Sequence, residues 1–246
     1  MSVIKWKKFY NDNMKSIKLK RIDWNREEKK INILIRHTYR PEGLKKCIES
    51  ITNQNYNNYN IILCYDDKRS EEYLKKYKNI NYFYITKDII KEEQYSKYKD
   101  KYDKTDNRRK YYWNLYVNKL MDKVKEGWII FLDDDDMFTD KNCLKKINTH
   151  LNNDNDIVFW KFLRPDLVIF PPTMEKIRCG NVASCTYCFN SKFKNTSRWP
   201  PFMCGDYMFL EKLLKQNNFN RKFISNILTA TNYDDKQQSL GRKERK

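Results

Sequence analysis

The chain has 246 residues, of which 40% are hydrophobic and 15% aromatic. This excludes a disordered or collagen-like polypeptide and suits one large α/β domain. Its 50 Lys and Arg against 32 Asp and Glu give a net charge of +18, but residues 1–30 and 236–246 supply +10 of it. That distribution predicts a basic N-terminal extension (1–30) and a basic flexible tail (236–246) around a domain at 31–235, and it weakens a nucleic-acid reading.

Ile31 to Ile35 is a short apolar run that reads as a buried strand. Pro41 suits the first turn of a helix, and Leu44, Cys47, Ile48 and Ile51 follow at helical spacing. Asn60 to Tyr65 reads as a second buried strand closing on Asp66-Asp67, and Ile80 to Ile85 as a third. Residues 87–110 mix Lys, Asp, Glu and Tyr without a period and read as a solvated loop or short helix. Trp113, Val117, Leu120, Met121 and Val124 then predict a helix stopped by Gly127. Trp128 to Leu132 is a fourth buried strand that runs straight into Asp133-Asp134-Asp135-Asp136. Beyond it we expect a helix around Leu144, Ile147 and Leu151, strands near 156–160 and 167–170, a helix from about Asp206 to Leu214 and a final strand near 223–228. Strands alternating with helices predict a parallel sheet with helices on its faces.

Four consecutive carboxylates at the end of a buried strand repel one another strongly unless a cation or solvent relieves them. In open α/β sheets the ligand crevice lies outside the carboxyl ends of the strands, where this cluster falls. Oxygen donors without a nearby His or Cys favour manganese or magnesium over zinc. The five glycines are too dispersed for a dinucleotide fingerprint or a P-loop. A nucleotide is therefore expected on Asp side chains, a metal ion and strand-end backbone. Cys185-x-x-Cys188, flanked by Cys179 and Cys204, matches no paired zinc framework, and the seven cysteines read as reduced core or loop thiols of a cytoplasmic protein. There is no signal peptide and no apolar run long enough for a transmembrane segment, so peripheral membrane contact is the only kind expected.

The order of these pieces resembles family 2 glycosyltransferases of the GT-A fold. The motifs are Ile35-Arg36-His37-Thr38-Tyr39-Arg40-Pro41, then Ser50-Ile51-Thr52-Asn53-Gln54-Asn55-Tyr56, then Ile62 to Asp67 with its terminal Asp-Asp, then Phe131-Leu132-Asp133-Asp134-Asp135-Asp136. The resemblance covers residues 31–136 well and the second half loosely. It implies a mostly parallel nucleotide-binding sheet flanked by helices, with a smaller mixed acceptor-side half. It also implies that Thr38 and Arg40 line the nucleotide site, that Asp66, beside Asp67, hydrogen-bonds the base, and that Asp133, beside Asp134, faces the ribose and metal. Asp135 would coordinate the metal bridging the diphosphate. Arg109, between Arg108 and Lys110, is the candidate for phosphate, and Asn114 is the companion candidate on the following helix.

A transferase of this kind needs a base for the acceptor hydroxyl, and the resemblance puts an acid at the start of a late helix. Asp206 fills that place, although Gly205 stands where the family often has Glu, and a plain helix cap is the competing role. The implied activity is transfer of a hexose from a nucleotide sugar, UDP-linked, to a glycan, lipid-linked or protein acceptor with inversion. Trp160, Arg164, Trp199 and Phe202 are candidates for an acceptor shelf, against a core role for the aromatics. The rival readings are a nucleotidyltransferase, which uses the same kind of metal carboxylates, and a basic nucleic-acid-binding protein, for which no recognition motif is present.

Overall fold

Strands that are apolar on both faces need cover on both faces, and the chain supplies it. The computed structural model describes residues 26–86, 113–164, 168–171 and 177–231. Strands β1 (Ile31–His37), β2 (Tyr59–Tyr65), β3 (Ile80–Tyr84) and β4 (Trp128–Asp133) form a parallel set in the order β3-β2-β1-β4. Helices α1 (Pro41–Thr52), α2 (Ser70–Leu74) and α3 (Trp113–Lys123) connect or flank them. Odd positions of β1 (Ile31, Ile33, Ile35) pack with Leu44, Cys47, Ile48 and Ile51 of α1. Leu34, with Ile62 and Cys64 of β2, faces Leu115, Leu120 and Met121 of α3.

The second half continues the same sheet with mixed directions. It holds β5 (Asp136–Phe138), α4 (Cys143–Asn148), β6 (Asp156–Leu163), β7 (Ile169–Phe170), β8 (Tyr187–Asn190), α5 (Gly205–Gln216) and β9 (Asn220–Thr231). The sheet order runs on from β4 as β8-β6-β9-β5, with β7 on β6. β8 is antiparallel to both β4 and β6, and β9 is parallel to β6 with register shifts around Lys161.

The sequence expectations hold for the four parallel strands and for helices α1 and α3. Helix α2 and two short strands were not foreseen, β5 starting at the last Asp of the run and β8 inside the Cys-rich stretch, and β9 is twice the expected length. Cys185 and Cys188 are buried in the core, as expected of core thiols, and Trp160 and Trp199 are buried too, which favours the core role for these two aromatics over an acceptor shelf. The basic stretches 1–25 and 236–246 and the loop reading of 87–110 lie outside the described residues. Among the described residues no helix is long and apolar enough to cross a membrane.

The second motif holds the chain that leaves the Asp run. Ser50 Oγ accepts from Phe138 N at 3.1 Å. Gln54 donates to Asp140 O at 2.7 Å and accepts from Leu144 N at 3.0 Å. The Tyr56 hydroxyl donates to Lys29 O and, at 3.2 Å, to Asn148 Oδ1. These are buried or half-buried ties, so the motif's polar side chains satisfy backbone and amide groups that the core would otherwise strand.

Candidate active site

Parallel strands end on one edge of a sheet, and here β1 and β4 end in register, Arg36 opposite Asp133. The Asp run alternates. The side chains of Asp133 and Asp135 are 28% and 20% exposed, that of Asp134 is fully buried, and Asp136 is buried. The chain's path explains the difference: Asp133 ends β4, Asp134 and Asp135 form the turn, and Asp136 opens β5, so two carboxylates face the edge and two face the interior.

The buried pair is held by the protein itself. Asp134 Oδ2 meets His37 Nδ1 at 2.6 Å and accepts from Thr38 N at 3.2 Å, while Arg40 Nη1 lies 2.8 Å from Oδ1. On its far side His37 Nε2 meets Ser70 Oγ at 3.1 Å and the Tyr73 hydroxyl. Asp134 thereby pulls the loop after β1 onto the end of β4. Asp136 accepts from Thr231 Oγ1 at 3.2 Å and, weakly, from Asp133 N at 3.4 Å. Burial, then the neighbouring Asp135 and Asp133, raise its carboxyl well above the ordinary range.

The edge-facing pair meets two arginines. Arg36 grips Asp133 through Nε–Oδ1 at 2.5 Å and Nη2–Oδ2 at 2.8 Å, while its Nη1 donates to Asn114 Oδ1 at 3.0 Å. Its guanidinium carbon lies 5.6 Å from the centre of the Trp199 ring. Burial alone would lower the Arg36 pKa, but Asp133 above all, then Asp206 and Asp135, raise it, so the group stays charged. Arg40 Nη1 also reaches Asp135 Oδ2 at 3.0 Å.

Asp206 is brought to this edge by an aromatic cluster. Phe131, on the strand that carries the Asp run, contacts Tyr187, Phe189, Trp199 and Phe209 of α5 with ring centres 5.3–6.0 Å apart. That packing seats the first turn of α5 against the end of β4. The helix cap is Cys204, held at φ 58, and Asp206 is the second residue of the helix, its Oδ1 accepting from Tyr207 N at 2.8 Å. Asp206 is therefore not the cap residue. Gly205 is required by closeness: a Cβ there would collide with Asn114 Nδ2 and sit 2.7 Å from Pro200 O. This is why Glu cannot precede Asp206 in this chain. Burial raises the Asp206 pKa above the ordinary carboxylate value, opposed by the Tyr207 N–H and Arg36.

The remaining sequence candidates divide. Thr38 and Arg40 stand in the loop beyond β1, Arg40 buried on Asp134 and Asp135. Asp66 accepts from the Tyr116 hydroxyl at 2.9 Å, and Asp67 pairs with Arg69 at 2.6 Å, whose guanidinium lies 4.2 Å from the centre of the Tyr39 ring. Asn114 faces inward, donating to Pro200 O at 3.2 Å and Phe202 O at 2.8 Å, and so ties α3 to the turn before Asp206. Arg109, with Arg108 and Lys110, lies outside the described residues. Sequence reasoning gave no role to Arg36, His37 or Tyr116. The available signal was a charged residue ending an apolar strand, which calls for a charged partner without saying which one.

Among the described residues no three His, Cys, Asp or Glu side chains are arranged to hold a metal ion by themselves. Two edge-facing carboxylates two residues apart fit a hard ion that completes its shell with phosphate oxygens and water, as magnesium-like ions do. They do not fit zinc.

Comparison with known proteins bears on the family and the fold. The profile described as Glycosyl transferase family 2 matches residues 33–218. Among curated proteins none matches this chain significantly. Solved structures of the same fold include TarS residues 1–349 of S. aureus, with a TM-score of 0.62 at 13% identity, covering 82% of this chain. The same fragment in complex with UDP-GlcNAc has a TM-score of 0.60, and 86% of this chain is covered. The mannosyltransferase PcManGT of Pyrobaculum calidifontis, in complex with GDP-Man and Mn2+, has a TM-score of 0.57 at 10% identity and covers 96% of this chain. This chain spans 60% of the TarS fragment and 67% of the mannosyltransferase. The likeness to these structures shows the GT-A fold, and the profile match shows that the chain belongs to glycosyl transferase family 2.

Proposed function

We propose that the chain transfers a hexose from a uridine diphosphate sugar to an acceptor hydroxyl with inversion, assisted by manganese or magnesium. The observation that carries this reading is that Asp133 and Asp135 share one strand edge, paired with Arg36 and Arg40, and that the first turn of α5 brings Asp206 within electrostatic reach of the same edge. The complexes of TarS with UDP-GlcNAc and of the mannosyltransferase with GDP-Man and Mn2+ support a nucleotide-sugar donor and a divalent ion.

In this reading Thr38 and Arg40 border the nucleotide, Asp66 accepts from the base with Asp67 beside it, and Asp133 accepts from the ribose. A divalent ion held by Asp135, with Asp133 alongside, would neutralise the diphosphate as it leaves. Asp206 takes the acceptor's proton, the acceptor oxygen bonds to the anomeric carbon, and the bond from that carbon to the diphosphate oxygen breaks. A carboxylate with a raised pKa is a better base for this step than an ordinary one. For the acceptor we propose a glycan, lipid-linked or protein hydroxyl, a reading supported only by the family resemblance. All seven cysteines are free and five of them lie in the core, which supports a reducing compartment such as the cytoplasm.

The test is calorimetric titration of UDP and UDP-sugars with Mn2+ or with chelator. Binding should require the ion and be lost in Asp135→Ala, whose melting temperature should stay close to the parent's because relief of like-charge repulsion offsets the lost Arg40 contact and Arg40 keeps Asp134. Equal affinity in chelator would reject metal assistance.

A further inference from the structure

We infer that Arg36 is a positioning residue that acts as a resident counter-cation for Asp133, keeping that carboxylate from a divalent ion until a nucleotide arrives. The inference rests on the donor-site reading above and extends it to a residue that reading does not use. Three features carry it. Arg36 and Asp133 are direct partners in the β1–β4 register, so their side chains leave neighbouring strands side by side. The contact is two-point, at 2.5 and 2.8 Å, and takes both carboxylate oxygens. A bidentate guanidinium–carboxylate pair is the strongest geometry such a pair has.

The third feature is that Arg36 cannot easily swing away. Its remaining nitrogen is held by Asn114 Oδ1 at 3.0 Å, and Asn114 is itself buried and tied to the carbonyls of Pro200 and Phe202. The buried Trp199 ring lies beside the guanidinium. A doubly charged ion at Asp133 would have to enter beside this fixed positive charge, and in a half-buried site that repulsion is poorly screened. Arg40 contrasts with it. One Arg40 nitrogen is shared between Asp134 and Asp135, and its buried Nε has no hydrogen-bond partner, so its hold on Asp135 is the weaker of the two. Arg36 thus leaves Asp135 as the entry point for the ion and reserves Asp133 for the nucleotide.

The experiment is Mn2+ titration of the purified full chain, reading free Mn2+ by electron paramagnetic resonance, with and without UDP. The parent should bind Mn2+ weakly alone and more tightly with UDP. Arg36→Gln should raise nucleotide-free Mn2+ affinity by about tenfold or more, and Asp133→Asn in that background should erase the gain. Arg36→Lys keeps the charge without the two-point grip and should lie between; it serves as the deciding variant if Arg36→Gln does not melt cooperatively. Nucleotide-free affinity within about twofold of the parent, or a gain that survives Asp133→Asn, would overturn the role given to Arg36. UDP that fails to tighten Mn2+ in the parent would instead strike at the donor-site reading, while the Arg36 comparison on bare Mn2+ still decides this inference.

Discussion

The two halves of the sheet solve the same packing problem in different ways. From β3 to β4 the strands are parallel, unbulged and five to seven residues long, and each presents its carboxyl end on the same edge. From β8 to β5 they mix directions, range from two to twelve residues and carry register shifts. The regular half concentrates the edge acids and the loop after β1. The irregular half brings one further acid to that edge by curling α5 onto the aromatic cluster around Phe131. Regularity positions many groups at once, whereas irregular structure places a single group where the sheet geometry offers none.

The largest expected effect tests whether the irregular half supplies chemistry at all. Asp206→Asn should lower the transfer rate about 10²–10⁴-fold while nucleotide affinity survives, measured by turnover and calorimetry. Its effect on stability has a definite sign. The folded carboxyl is raised, so the folded state binds the proton more readily than the unfolded chain, and Asp206 weakens the fold above its folded pKa but not below the unfolded value. The Asn variant should therefore melt at the same or a higher temperature at pH 7 and lose that advantage in acid. Parental turnover would leave the irregular half a purely structural role.

Next in size is a tie within the irregular half. Asp156 is buried at the start of β6, where it accepts from Asn152 N, Asn153 N and Lys222 Nζ at 2.6–2.8 Å. Burial would raise its carboxyl, but Lys222 and the two N–H groups outweigh that and lower it. A lowered carboxyl contributes stability above the unfolded value that is lost as pH falls through the folded one. Asp156→Ala should cost on the order of 2–3 kcal/mol in urea unfolding at pH 7. That loss should shrink in acid, with nucleotide affinity unchanged.

Gly205→Ala probes the seam between the halves. The added methyl meets Asn114 and Pro200 O, so it should cost about 1–3 kcal/mol of stability and also reduce turnover by moving Asp206. A stability loss without a rate loss would detach Asp206 from the geometry of that seam. Smallest is Ser50→Ala, which strands the N–H of Phe138 and should cost about 1 kcal/mol, with Mn2+-dependent UDP binding weakened only slightly.

The same contrast governs what the sequence made legible. Ile61–Tyr65 and Trp128–Leu132 are continuous apolar runs, and Ile31–Ile35 is broken only by the buried Asn32, because parallel strands are covered on both faces, and such runs can be read directly. Asp133 to Asp136 marked their edge for the same reason. β5 was hidden because its strand begins with a buried Asp, whose partner Thr231 lies 95 residues away. β8 was hidden because four residues are too few for a period and its cysteines serve as ordinary apolar side chains. The pairing of Arg36 with Asp133 could not be read because it depends on register, which adjacent strands fix only when they assemble.

That register has a consequence for how the chain can change its length. Each residue from Ile31 to Arg36 faces one from Trp128 to Asp133, so losing or gaining one residue in either strand turns every following side chain over. Arg36 would then point into the core while Asp133 still faced the edge. Matching deletions in both strands would restore the match, whereas loops such as the one between α4 and β6 have no partner to keep pace with. Among descendants of this sequence, insertions and deletions should therefore collect in the connections and spare the two central strands, or strike both of them together.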